Sequence, residues 1–72
     1  MNNNVASERV RVGLSQGQLA ELIGVDESTL RRWEQDISPA KASSVLRLSE
    51  IFHCTTDYLL ARTDERTQKG GR

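Results

Sequence analysis

The sequence predicts an all-α domain of four or five short helices. Apolar residues recur at spacings of three and four along most of the chain, and no useful length alternates with period two. Glycines and capping residues interrupt these periodic segments at short intervals, so the helices are expected to be short. The 72 residues allow one domain, near the lower limit at which a single hydrophobic core holds a fold unaided.

The first predicted helix follows the polar residues 2–4, which are suited to capping it. It is expected to run to about Val12, where Gly13 closes it. Its inward face is expected to carry Val5, Arg9 and Val12.

The second predicted helix begins at a capping box. Ser15 precedes Gln18 by three residues, the spacing at which each side chain reaches the other residue's backbone N–H. Gly24 follows the last periodic residue and is expected to end the helix. The expected apolar stripe is Leu19, Leu22 and Ile23.

The third predicted helix, from about Glu27 to Gln35, has Asp26 as its N-cap. At 100° per residue, Leu30 and Trp33 fall on one side and are expected to face inward. The opposite side carries polar residues: Ser28, Arg32 and Gln35.

A fourth helix is predicted to start at Ser38 and Pro39, which suit the N-cap and the first helical position, and to run to about Phe52. Its expected apolar positions are Ala42, Val45, Leu46, Ser49 and Phe52. His53 falls where helices often end in a left-handed residue. Thr55 is suited to cap a last short helix. The expected apolar face of that helix is Tyr58, Leu59 and Leu60.

The domain is expected to occupy residues 1–62. Residues 63–72 contain no apolar side chain and include Gly-Gly, so they are predicted to be a disordered tail or linker.

Composition excludes several classes of protein. A single cysteine and a single histidine supply neither an internal disulfide nor the ligands of a structural zinc site. No segment approaches the roughly 18 apolar residues of a membrane span, and the first ten residues lack a signal-peptide core. We therefore expect a cytoplasmic protein with no membrane, metal, cofactor or small-molecule partner. No motif pairs a nucleophile with a base, so an enzyme is not expected.

The charge balance is neutral, because ten basic residues match ten acidic ones. Bulk charge therefore gives no support for binding a polyanion. A neutral domain can still bind one if its positive charges share a face. Arg31 and Arg32, taken without their surroundings, would be an ordinary solvated surface.

The second and third helices form the pattern of a helix-turn-helix, two short helices joined by a tight turn, in which the second helix enters the DNA major groove. Ala20 allows the helices to cross closely and Gly24 makes the turn. Leu30 and Trp33 fill the angle between the helices. Trp33 is accordingly expected in the core and not as a platform for stacking bases.

The segments "GLSQGQLAELIGV", "STLRRWE" and "TTDYLL" resemble the phage repressor, Cro and Xre-like family of DNA-binding domains. The resemblance covers residues 5–60 and implies a lambda-repressor-like fold of five helices. It also implies binding to double-stranded operator DNA, often as a homodimer, and regulation of transcription. Glu34 resembles the acidic residue that pairs with an arginine of the first helix, here Arg9. Gly17, His53 and the neutral charge depart from the family's usual pattern.

The resemblance divides the candidate site residues into three groups. The residues expected to read bases are Glu27, Ser28, Arg31 and Arg32. Those expected to contact phosphates are Ser15, Gln16, Gln35 and Lys41. Those expected to build the structure are Arg9, Ala20, Gly24, Leu30, Trp33 and Glu34.

The leading hypothesis is a transcriptional regulator that acts as a repressor. The alternative is a protein-interaction module, an antitoxin or a recruiter that reuses the same fold, which the neutral charge would suit.

Overall fold

The computed structural model describes residues 3–66, and helices are its only regular secondary structure in that range. The five helices are α1 (Val5–Arg11), α2 (Gln16–Ile23), α3 (Glu27–Gln35), α4 (Ala42–Phe52) and α5 (Thr56–Leu59). The predicted all-α class is therefore confirmed. None of the helices in the described part of the chain has the length and apolar character needed to cross a membrane.

The core is made by side chains from all five helices and from the loop after α3. Phe52 and Leu30 are fully buried at its centre, and Trp33 is 8% exposed. The other buried apolar residues are Val5, Leu19, Ala20, Ile37, Val45, Leu48 and Leu59. Burial of this size is the main favourable contribution to the folding of so small a domain.

The N-terminal asparagines fasten α1 to other helices. The side-chain oxygen of Asn3 accepts a hydrogen bond from the N–H of Val5, and its amide donates to the carbonyl of Trp33 at 2.9 Å. The side-chain amide of Asn4 donates to the carbonyl of Tyr58, and the backbone N–H of Asn4 donates to the carbonyl of Leu59. The start of α1 is thus fixed to the ends of α3 and α5.

The inward face of α1 differs from the predicted one. Val5 is fully buried, but Val12 is 38% exposed, and Glu8 is buried in its place. The sequence interpretation passed over Glu8 because a glutamate inside a core is rare without partners. Its partners are Arg11 and Arg66, at 2.9 Å each.

The predicted boundaries of α2 are confirmed. The Ser15 side chain accepts from the N–H of Gln18, and the Gln18 side chain accepts from the N–H of Ser15. Gly24 ends the helix in the left-handed region with φ of 75°. The predicted apolar stripe of α2 was wrong at Leu22, which is 49% exposed. The buried face of the helix is centred on Leu19 and Ala20 instead.

Helix α4 begins three residues later than predicted, with Lys41 as its N-cap and Ala42 as its first residue. Ser38 and Pro39 lie in a turn closed by a hydrogen bond from the N–H of Ala40 to the carbonyl of Ile37. The Ser38 hydroxyl and N–H both donate to the Asp36 carboxylate, and these hydrogen bonds lower the pKa of Asp36. The Ser38 side chain thus bonds back to Asp36 and does not cap α4, whose N-cap residue is Lys41.

The buried face of α4 also differs from the predicted one. Leu46 is 54% exposed and Ala42 is exposed, whereas Leu48 is fully buried. The buried residues lie at spacings of three, four and seven: Val45, Leu48, Ser49 and Phe52. The prediction took Ala42 as the first residue of the buried face, and Leu46, one helical turn later, was included with it.

The last part of the chain returns to the domain. His53 ends α4 in the left-handed region with φ of 53°, and the Thr55 side chain caps α5, both as predicted. Residues 63–66, which were assigned to a disordered tail, follow a defined path. The carbonyl of Arg66 accepts from the N–H of Thr55, and its guanidinium reaches Glu8. Residues 67–72 of the predicted tail lie outside the described residues.

Candidate nucleic-acid interface

The geometry of α2 and α3 is that of a helix-turn-helix. Ala20, 2% exposed, lies where α2 packs against α3, and the left-handed Gly24 lets the chain turn between the helices. Leu30 and Trp33 anchor the inner side of α3 in the core. Three of these residues are therefore buried, and Gly24 has the left-handed conformation that ends α2.

A hydrogen-bonded network joins the ends of three helices around Glu34. Its carboxylate accepts from Nε of Arg9 at 2.6 Å, as predicted from the sequence, and from Nε2 of Gln16 at 2.9 Å. Arg9 also donates to the carbonyl of Leu14. The Glu34 and Arg9 side chains are only 8% and 17% exposed. The network therefore fixes α3 relative to α1 and to the first turn of α2.

The outer side of α3 presents polar side chains to solvent, and all five of its candidate DNA contacts are exposed: Glu27, Ser28, Arg31, Arg32 and Gln35. Nη2 of Arg31 lies 3.4 Å from Oε2 of Glu27, one helical turn away. Within residues 3–66, Arg32 makes no ion pair. Glu27 and Arg31 largely offset each other, so Arg32 gives this surface its positive charge.

The four candidate phosphate contacts are not equivalent. Ser15 is exposed, but its hydroxyl oxygen is engaged in the capping box. The Gln16 amide is engaged by Glu34. Lys41 is the N-cap residue of α4 and is exposed, as is Gln35 at the end of α3. Lys41 and Gln35 are therefore the more available of the four.

Sequence reasoning did not find the role of Gln16 in the Glu34 network or the site around Gly17. A Cβ placed on Gly17 would lie 3.3 Å from Oε1 of Glu27. The departure of Gly17 from the usual family pattern was the signal available in the sequence. The nearest neighbour of that Cβ is the Glu27 side chain, which belongs to the next helix.

Cys54 is partly buried, close enough to Glu8, Arg11 and Arg66 to interact with their charges. Burial and the nearby Glu8 carboxylate raise the pKa of its thiol. A raised pKa favours the thiol over the nucleophilic thiolate at neutral pH. Over residues 3–66, no three His, Cys, Asp or Glu side chains are grouped so that they could hold a metal ion.

A mainly apolar groove of about 520 Å³ lies between the α3–α4 loop, α4 and α5. The half-exposed Leu46 and the partly buried Leu60 line its sides. The other lining residues are Ile37, Ser38, Ala40, Ala42, Val45 and Thr56. Leu59, on the apolar face predicted for α5, is fully buried inside the monomer.

Comparison with known proteins defines the class. The family described as "Helix-turn-helix" matches residues 5–59, so the chain belongs to this family. The match covers the same segments as the predicted resemblance to phage repressor and Xre-like domains, and that resemblance is confirmed.

Two curated relatives are similar to this chain. The "HTH-type transcriptional regulator ImmR" of Bacillus subtilis (strain 168) is 28% identical over 69 residues, covering 96% of this chain and 54% of the relative. "Repressor protein C2" of Salmonella phage P22 is 29% identical over 65 residues, covering 83% of this chain and 30% of the relative. The chain thus spans about half the length of the first and less than a third of the second. No solved structure gives a significant match.

Proposed function

We propose that this domain binds double-stranded DNA at a specific operator, with α3 in the major groove, and that it acts as a transcriptional repressor. The observation that carries the proposal is the division of α3 into two sides. Leu30 and Trp33 fix one side in the core, and Arg32 with its exposed neighbours faces solvent. Family membership supports the proposal, and so do the names of the two relatives, a transcriptional regulator and a repressor.

The reading residues proposed are Glu27, Ser28, Arg31 and Arg32. An arginine donates two parallel hydrogen bonds to O6 and N7 of guanine, and a glutamate accepts from N4 of cytosine. Arg31 is paired with Glu27, whereas Arg32 makes no ion pair within residues 3–66. Of the two arginines, Arg32 is therefore the more available for contact with a base. The proposed phosphate contacts are Ser15, Gln16, Gln35 and Lys41, which surround α3 at the starts of α2 and α4 and at the end of α3 itself.

Selection of bound sequences from a random duplex pool tests the proposal. A specific operator binder enriches one short sequence and its close variants. Failure to enrich any sequence, with no measurable duplex binding, would reject the proposal and favour the alternative of a protein-interaction module. The groove beside Leu46 and Leu60 is the observation that favours this alternative, because exposed apolar surface is typical of protein contacts.

Arg32 and Lys41 are expected to contribute in different ways. Arg32→Ala should weaken binding to the selected duplex by about 1–3 kcal/mol and relax its preference at one or two base pairs. Lys41→Ala should weaken all duplexes alike and reduce the log–log salt slope by about one. Fluorescence anisotropy with matched and single-substituted duplexes measures both effects. Equal weakening of every sequence by Arg32→Ala would make Arg32 a phosphate contact and leave base reading to Glu27, Ser28 or Arg31.

We further propose that the domain binds its operator as a homodimer. Leu59 is unavailable for this contact, so the groove side chains Leu46 and Leu60 are the proposed surface. Sedimentation velocity with a palindromic duplex should show two copies bound, and Leu46→Lys should reduce the affinity for the second copy by about tenfold or more. Val10→Lys, at a residue 66% exposed on α1, is the matched control. One copy per duplex would contradict the dimer.

A further inference from the structure

The carboxylate of Glu27, at the start of α3, has a neighbour on each side, although the side chain is 53% exposed. On one side it faces the first turn of α2, where a Cβ on Gly17 would lie 3.3 Å from Oε1 and 3.8 Å from Cδ. On the other side, Oε2 lies 3.4 Å from Nη2 of Arg31. The carboxylate is therefore placed between α2 and the next turn of its own helix.

The space over Gly17 exists because glycine has no side chain. A contact of 3.3 Å is closer than ordinary van der Waals contact, so any other residue at position 17 would move the Glu27 carboxylate by a few tenths of an ångström. The backbone of α2 gives no other reason for a glycine, since Gly17 is not in the left-handed region and lies inside a regular helix. Glycine lowers helix stability most in the interior, and Gly17 is in the first turn of α2, where that cost is smaller.

We propose that Gly17 is a positioning residue for base reading. By leaving room for the Glu27 carboxylate, it sets where that carboxylate lies when α3 enters the groove, and Arg31 holds it from the other side. This inference rests on the proposed DNA-binding function. Hydrogen bonds to a base edge need both a donor–acceptor distance of about 2.7–3.2 Å and a nearly linear angle, so moving the carboxylate away from its place is expected to alter the preference for a base.

The test uses Gly17→Ala and Gly17→Gln on the operator selected by the wild-type domain. Gly17→Ala should reduce the preference at the base pair read by Glu27 by about threefold, and Gly17→Gln, whose longer side chain fills the space, by about tenfold. Preference at the base pair read by Arg32 should not change. Both substitutions favour the helix, so the melting temperature should stay the same or rise, and lost preference then does not reflect unfolding.

Two controls make the result specific. Glu21→Ala, at an exposed residue of the same helix, should leave every base preference unchanged. In a Glu27→Ala background, Gly17→Ala should have no further effect, because the side chain through which it acts is gone.

The outcomes separate this inference from the function on which it rests. If the wild-type domain selects no sequence, the proposed function fails. If it selects an operator but the Gly17 variants keep the wild-type preferences, the role of Gly17 is rejected and the function stands. The role is also rejected if Glu27→Ala changes no base preference, or if the Gly17 variants weaken all duplexes equally.

Discussion

Replacing Glu34 by alanine is expected to destabilise the domain by about 3–5 kcal/mol, the cost of removing one partner from a mostly buried ion pair. The change would leave the Arg9 guanidinium, whose side chain is 17% exposed, without its carboxylate. It would also remove the acceptor of the Gln16 amide. A domain of this size has a total stability of only about 4–11 kcal/mol, so a large fraction of the variant should be unfolded.

Urea denaturation monitored by Trp33 fluorescence measures this loss. Glu34→Gln keeps the shape and part of the hydrogen bonding, so it should fall between the wild type and Glu34→Ala. Glu21→Ala, on the exposed side of α2, should change the free energy of unfolding by less than about 0.5 kcal/mol. A loss under about 1 kcal/mol for Glu34→Ala would contradict the view that Glu34 holds α3 in place.

Replacing Glu8 by glutamine is expected to destabilise the domain by about 2–3 kcal/mol at neutral pH, because hydrogen bonds to a charged group are stronger than neutral ones. Arg66 donates to both carboxylate oxygens of Glu8, and Arg11 donates to Oε1. Both arginines also donate to the carbonyl of Phe52. Glu8 therefore joins α1 to the end of α4 and to residue 66.

The effect of Glu8→Gln should depend on pH. Burial raises the pKa of Glu8, but the hydrogen bonds from Arg66 and Arg11 lower it more, and its pKa lies below the ordinary value. A carboxyl with a lowered folded pKa stabilises the domain fully above its unfolded pKa of about 4.3 and loses this contribution as pH falls through the folded pKa. The difference between wild type and Glu8→Gln should thus be full at pH 7 and shrink below about pH 4.3.

Urea midpoints at pH 7 and at successively lower pH measure this difference. Arg66→Ala should show the same pH dependence with a smaller loss, because Arg11 remains. Arg62→Ala, at an exposed residue that does not contact Glu8, should behave like the wild type at each pH. A Glu8→Gln difference that stays constant with pH would contradict a charged role for Glu8.

The parts of the fold that were predictable depend on local rules. The capping box at Ser15, the left-handed Gly24 and the cap at Thr55 are each specified by residues close in sequence. The pairing of Arg9 with Glu34, 25 residues apart, came from the family resemblance and not from periodicity.

The errors arose where long-range contacts decide the outcome. Helical spacing did not distinguish Leu46 from Leu48, because both lie on plausible apolar arcs and only the packing of α4 on the core selects one. The burial of Glu8 could not be predicted, since it depends on Arg66, 58 residues away. The position of Glu27 over Gly17 likewise depends on how α3 packs against α2, which the sequence spacing does not specify.

Salt-dependent binding to the selected operator tests the central claim most directly. The affinity of the wild-type domain for that duplex and for a scrambled one of equal length is measured at increasing salt concentration. A repressor of the proposed kind should prefer the operator by about 1,000-fold or more, with a log–log slope near −0.9 for each phosphate contact. Equal affinity for both duplexes, or binding independent of salt, would contradict the assignment of α3 as a DNA-reading helix.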